Sequence, residues 1–358
     1  GAIILLIIAE LALRLAESPR PGDFVDHPFY DVVRGPSRSR VFKSAHGEHV
    51  VRTNSHGLRG PELALPKPRG VFRVLFVGGS VVDSQYLSDE QTIHQLVAKR
   101  LQELSGGKVR VEAAAAGSPG TGSAITLAQI ANRFLELEPD VIVELNGADF
   151  FEWLRPDYEP TYLYLAKPAG SEGRVNDLLR SSRLLALVRG RGGEASFQAA
   201  AQAKRREQPF VDPPEDLLAR GLARARRSFH RSAVLCRDSG IELAVVTHLT
   251  LYKENQPPQE DEKLWLSYGN GNVRAGGWNL SPAFARRLVD AYNEMLRDFA
   301  RASGTLLVDA AAGVPANLET LIDDVHPTAA GAAKIAELTV QQIAGRPALR
   351  KKLGLSPK

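Results

Sequence analysis

Five short apolar runs recur along this chain, and helical spacing fills the intervals between them. The runs cover residues 71–77, 109–116, 141–145, 243–247 and 306–309. Each is too short for a helix. The third, Val141-Ile142-Val143-Glu144-Leu145, is almost wholly apolar, as a strand buried on both faces requires. Between the first two runs, residues 89–104 carry Ile93, Leu96, Val97 and Leu101 on one helical face. Residues 123–137 and 329–343 repeat that periodicity. Strands joined by helical crossovers pair in parallel, and the helices then cover both faces of the sheet. The pattern therefore predicts an α/β fold, a three-layer α/β/α sandwich with a five-stranded parallel sheet over residues 71–345.

Two stretches break the rhythm. Residues 19–70 are rich in Pro, Gly, Arg and His and read as a stalk and cap. Residues 151–215 open with Phe151, Trp153, Tyr158, Tyr162 and Tyr164, then become basic, and read as an insertion serving as a lid or a substrate-holding surface. Residues 346–358 form a basic tail. The chain has 358 residues, 44% hydrophobic and 24% charged, which excludes a mainly disordered chain. Its net charge is +4, from 45 Lys and Arg against 41 Asp and Glu. So small an excess makes no case for nucleic acid. The basic residues Lys204, Arg205 and Arg206, with Arg220, Arg224, Arg226 and Arg227, read as a solvated helix face. The only cysteine, Cys236, excludes an internal disulfide and a cysteine-based zinc site.

The amino terminus is apolar without interruption from Ala2 to Ala9, and Glu10, Arg14 and Glu17 follow before Pro19 and Pro21 stop the helix. A bilayer span needs about 20 apolar residues. The sequence starts at Gly1 rather than at a methionine, so residues 1–18 are expected to be a membrane-anchor helix cut short.

In an open parallel sheet, chemistry gathers at the carboxyl ends of the strands. The first strand ends in Gly78-Gly79-Ser80-Val81, a turn that exposes a hydroxyl beside helix-opening amides. The same turn could cradle a dinucleotide phosphate. However, G-x-G-x-x-G spacing and a P-loop lysine are absent, so no nucleotide cofactor is expected, and no metal site either. The second strand ends in a glycine-rich turn in which Gly120 could present a free N–H. The third ends in Asn146-Gly147-Ala148-Asp149. Far along the chain, Asp323 stands three residues before His326. A carboxylate at that offset can hold Nδ1 of the ring and leave Nε2 free to take a proton from a serine. His248 closes the fourth strand and reads as a structural histidine that could also meet substrate. His94 and Cys236 read as packing residues. Asp324 competes with Asp323 but lacks the three-residue offset.

Taken together, Gly79-Ser80, Gly120 and Asp323-x-x-His326 resemble the SGNH hydrolase superfamily, the GDSL-type esterases and lipases. Thr53-Asn54-Ser55-His56-Gly57-Leu58-Arg59-Gly60-Pro61-Glu62 and the stretch from Leu179 to Leu184 are similar to segments of its membrane-anchored bacterial members. The resemblance implies a flavodoxin-like sheet, Ser80 as nucleophile, His326 as base and Asp323 as its orienting acid. It implies an oxyanion site at the amides of Ser80 and Gly120, without cofactor or metal. It also implies a place on the extracytoplasmic face of a bacterial membrane. One block departs from the family. Where a Gly-x-Asn-Asp pattern would place an amide donor, this chain has Asp149, and an ionised Asp149 would repel the oxyanion. Either Asp149 is protonated, or Asn146 supplies the amide, or the enzyme is slow, specialised or inactive; losing one such donor costs about 10²–10³ in rate. The expected function is cleavage of an O-acyl carbohydrate or lipid ester through an acyl-serine. The alternatives are O-acetyl transfer to an envelope polysaccharide, or a weakened polysaccharide-binding scaffold.

Overall fold

The computed structural model of this chain describes Glu10 and residues 24–27, 31–44, 47–147, 206–213, 215–268 and 279–356. Two short hairpins come first. β1 (Phe24–His27) pairs with β2 (Asp31–Arg34), and β3 (Ser39–Ser44) with β4 (Gly47–Arg52). Then come β5 (Val71–Gly78), β6 (Arg110–Gly117), β7 (Val141–Leu145), β8 (Glu242–Val246) and β9 (Leu306–Val308). These five form one sheet in the order β6-β5-β7-β8-β9, every pair parallel. The expected sheet is present, with each strand within a residue or so of its predicted run. Chain order reverses between β6 and β7, on either side of β5. That switch point opens a crevice at the carboxyl ends of these strands.

Helices cover both faces. α1 (Ser80–Asp83) is a single turn, followed by α2 (Ile93–Ser105), α3 (Ser123–Gln129) and α4 (Glu215–Asp238). α5 (Pro258–Asp261), α6 (Pro282–Ser303), α7 (Ala310–Gly313), α8 (Ala329–Gly345) and α9 (Pro347–Lys352) complete the set among the described residues. α2 packs with α8, and α4 packs with α3 and α6, so the sheet lies between two helical layers. One continuous apolar core unites them, with Val74, Val141, Ile142 and Val245 fully buried in the strands.

Local chemistry shifts two expected helices. Residues 89–104 do not form one helix. A capping box between Ser88 and Gln91 closes the 3-10 turn Asp89–Gln91, and the α-helix starts only at Ile93. The helix expected to reach residue 137 changes after Gln129 into the π turn Ile130–Phe134. The extra residue in that turn lets Phe134 enter the core while Arg133 donates to the carbonyl of His56. The stretch expected as a basic tail opens with α9, because Leu349 and Leu353, one turn apart, are both buried. The expected anchor over residues 1–18 and most of the 151–215 insertion lie outside the described residues. Among the described residues, no helix is long and apolar enough to cross a membrane.

Candidate active site

Ser80 is placed by a strand end that tolerates only glycine. Gly78 adopts φ +151°, and a Cβ there would sit 1.9 Å from the carbonyl oxygen of Leu145 on β7. The backbone passes this close approach, turns at Gly79 and enters α1 with Ser80 as its first residue. A single helical turn is a weak platform, so its far end needs support. Arg59, almost fully buried, donates to the carbonyls of Asp83 (3.0 Å), Ser84 (2.7 Å) and Leu87 (2.6 Å) and to Asp89 Oδ1 (2.8 Å). The carbonyls left open at a helix end thus find donors. Arg34 forms a buried two-point ion pair with Asp83 on the same turn, with Nη2 2.7 Å from Oδ2. Residues preceding the sheet therefore hold the helix that presents Ser80.

The loop before α8 supplies the opposing wall. Leu321 bridges to Pro327, and the Ile322 amide donates to the His326 carbonyl at 2.8 Å. Inside this tight loop, Asp323 Oδ1 accepts from the amides of Val325 (3.0 Å) and His326 (2.9 Å). The carboxylate is then 2.8 Å from Nδ1 of the His326 ring through Oδ2. On the other side of the ring, Nε2 lies 2.7 Å from Ser80 Oγ. A proton on Nδ1 facing the carboxylate leaves the lone pair of Nε2 directed at the hydroxyl. Burial pushes the Asp323 carboxyl up. The hydrogen bond and charge of His326, its backbone amide and the Trp265 indole outweigh burial and hold it below the ordinary carboxylate range. Asp323 is thus ionised at neutral pH. The arrangement can withdraw a proton from Ser80 and stabilise the imidazolium that results.

Two aromatic rings frame the histidine. Tyr86 meets it edge-on, with centroids 5.2 Å apart and planes at 67°. Trp265 lies parallel to it, with centroids 6.3 Å apart and planes at 6°. Beside them is a cavity of about 280 Å³ whose lining includes Ser80, Gly120, Gly147 and Leu266. Gly120 has φ +78°, a left-handed conformation that turns the backbone at the cavity wall. The amides of Ser80 and Gly120 make no backbone hydrogen bond among the described residues. A much larger groove of about 1030 Å³ runs between α4 and the end of α6, at the opposite end of the sheet, and contains no nucleophile–base pair.

Four sequence-predicted residues, Ser80, Gly120, Asp323 and His326, meet at one place. Asn146 does not join them. It is buried beneath the cavity, its amide donating to Glu144 Oε1 at 2.8 Å and its oxygen accepting from Thr126 at 2.9 Å. Asp149 lies outside the described residues. His248 does line the cavity, with Nδ1 3.0 Å from the Leu249 carbonyl and the other edge of its ring against Gly147. Burial pushes it down to about 4, so the ring is neutral at pH 7. His94 and Cys236 are buried packing residues; burial drives the histidine down to about 3 and the thiol up to about 12.

Sequence reasoning missed Trp265, Tyr86, Arg34 and Arg59 as parts of the site, and left Asp324 as a rival to Asp323. Asp324 is fully buried and faces away from the ring. It accepts from Tyr252 Oη (2.5 Å) and from the amides of Trp265 (2.7 Å) and Leu266 (3.2 Å). Burial raises its pKa to about 6, although these three donors work against that rise. The run from Leu249 to Tyr268 carries no motif. Only its position after the fourth strand end could have drawn attention to Trp265.

Solved structures similar to this chain include proteins described as an acylhydrolase, an acetyl-xylooligosaccharide esterase and a GDSL-like lipase. One is described as an acylhydrolase from Bacteroides fragilis, with 16% identity, covering 82% of this chain and 92% of its own, at a TM-score of 0.43. Another is an acetyl-xylooligosaccharide esterase from Geobacillus stearothermophilus, with 13% identity, coverage of 80% and 97%, and a TM-score of 0.45. A third is a GDSL-like lipase from Bacteroides thetaiotaomicron, with 14% identity, coverage of 78% and 88%, and a TM-score of 0.38. Neither a family model nor a curated protein sequence matches the chain.

Proposed function

We propose that this chain is a serine esterase that removes a short acyl group from an alcohol through an acyl-serine intermediate. The observation that carries this reading is the file of Ser80 Oγ, the His326 ring and the Asp323 carboxylate, with contacts of 2.7 and 2.8 Å. As Ser80 Oγ attacks the ester carbonyl, His326 Nε2 takes its proton, and Asp323 stabilises the charged ring. The carbonyl oxygen gains negative charge near the amides of Ser80 and Gly120. The tetrahedral adduct collapses, the C–O bond to the alcohol breaks, and His326 returns the proton to the leaving oxygen. Water, deprotonated by the same nitrogen, then releases the acid and restores Ser80.

A cavity of about 280 Å³ favours a short chain such as acetyl. One exposed aromatic side chain at the cavity favours a carbohydrate as the alcohol: Trp265 is 37% exposed there. A sugar hydroxyl replacing water in the second half would make the enzyme an O-acetyltransferase. Residues 1–18 are proposed to tether the domain to a bacterial envelope membrane.

Hydrolysis of p-nitrophenyl acetate by wild type and Ser80→Ala tests the reading. Serine-dependent turnover is expected. Equal rates in the two proteins would remove the esterase and leave the polysaccharide-binding scaffold that the acidic Asp149 favours. Adding a sugar acceptor then separates hydrolysis from transfer.

A further inference from the structure

We propose that Trp265 is a positioning residue of this site, holding the Asp323 carboxylate and the His326 ring in their working geometry, with Asp324 as the staple that keeps it there. The inference rests on the esterase reading only for what the geometry is used for.

Trp265 meets both partners of the Asp323–His326 pair. Its indole Nε1–H donates to Asp323 Oδ2 at 3.0 Å, the same oxygen that faces His326 Nδ1 at 2.8 Å. Its ring plane lies within 6° of the imidazole plane. A carboxylate held only by its own loop, through the amides of Val325 and His326 at Oδ1, is free to tilt about its bond to Cβ. The indole fixes the second oxygen and removes that freedom. The indole and imidazole planes stay parallel with centroids 6.3 Å apart, and Tyr86 meets the same imidazole edge-on.

The loop that brings Trp265 to this position has little secondary structure of its own; Arg206 donates to its Asp261 and Leu264 carbonyls at 2.7 and 3.0 Å, and one buried carboxylate fastens Trp265 itself. Asp324 takes the backbone amides of Trp265 and Leu266 and the Tyr252 hydroxyl on its side chain. Its own carbonyl receives the Leu251 amide at 2.9 Å and the Thr250 hydroxyl at 3.1 Å. Adjacent carboxylates thus divide the labour. Asp323 faces the ring, and Asp324 fastens the tryptophan that braces Asp323.

Nuclear magnetic resonance decides this without any ester. The groups facing the His326 ring are Asp323 and Ser80 from its two nitrogens, Tyr86 and Trp265 from the sides, and neutral His248 from the end of β8; Asp324 lies behind. Removing the indole donor leaves more negative charge on Asp323 toward the ring. In Trp265→Phe, which keeps an aromatic face, the His326 titration midpoint measured by NMR should therefore rise above that of wild type. In wild type, the Trp265 indole proton should shift with the same midpoint as the His326 ring, since both act on one carboxylate. That observation needs no substituted protein to fold. An unchanged or lowered midpoint in Trp265→Phe, or an indole proton that stays flat while His326 titrates, would overturn the assignment. Acetyl-ester assays give the acid limb of kcat/KM, expected to move with the resonance midpoint. If wild type shows no Ser80-dependent turnover, the esterase reading fails while the resonance data still settle the role of Trp265.

Discussion

Two neighbouring carboxylates that look interchangeable in sequence have opposite surroundings. Asp323 has the ring of His326 before it, and Asp324 has three donors from the β8–α6 loop. Their amide substitutions should therefore fail in different ways. Asp323→Asn keeps the shape but loses the negative charge opposite the imidazolium. Ester turnover should fall by about 10²–10⁴, with a smaller loss of stability than at the more deeply buried Asp324. Asp324→Asn brings an NH₂ group against buried donors. It should cost about 2–4 kcal/mol of stability, seen as a lower denaturant midpoint, with a smaller loss of turnover in the protein that remains folded. Equal losses of turnover in the two variants, with unchanged stability in both, would contradict the division. The three-residue offset made Asp323 and His326 legible, because it reflects a contact within one loop. Trp265 reaches the same carboxylate across 58 positions of chain, and no local pattern encodes so distant a contact.

At the scale of elements, Ser80, the proposed nucleophile, depends on a helical turn too short to be stable alone. Glycine spacing announced the turn, since a strand that must pass the Leu145 carbonyl has no room for a Cβ. Gly78→Ala should separate the ends of β5 and β7, lowering the melting temperature and turnover together. What props α1 from below was not legible. Residues 53–62 stood out only through resemblance, and nothing in their spacing says that Arg59 crosses to Asp89 and to three carbonyls. The buried guanidinium has a defined energetic role. Replacing it with Met would strand those carbonyls and leave Asp89 without its partner, a loss of about 3–5 kcal/mol. Arg59→Met should therefore unfold in less denaturant, and any folded fraction should react more slowly at Ser80 with a fluorophosphonate probe. A variant as stable and as reactive as wild type would show that α1 needs no such prop. The π turn after α3 was equally hidden, because it goes with another remote contact, the His56 carbonyl met by Arg133.

Across the whole molecule, the alternation of strand and helix fixed the sheet and its parallel sense, and the strand ends located the cavity. Periodicity carried that information because it reports burial. The protonation balance of the interior was not readable from it, and it sets how the fold responds to acid. His248 and His94 are buried neutral, lowered from an ordinary 6.5 to about 4 and about 3. Their unfolded counterparts take up protons below about pH 6.5. The unfolded state then binds more protons, and stability falls as pH drops through that window toward the folded values. Asp324 acts with the opposite sign. Raised from 3.8 to about 6, it binds a proton in the folded state before it would in the unfolded chain, so stability gains between pH 6 and 3.8. Two histidines against one carboxyl leave a net loss. The melting temperature should decline from pH 7 to pH 4, more gently than the histidines alone would give. Asp324→Asn removes the opposing group, so its melting temperature should fall more steeply over the same range. A flat profile between pH 6.5 and 4 would mean that the two rings are not held neutral in the core.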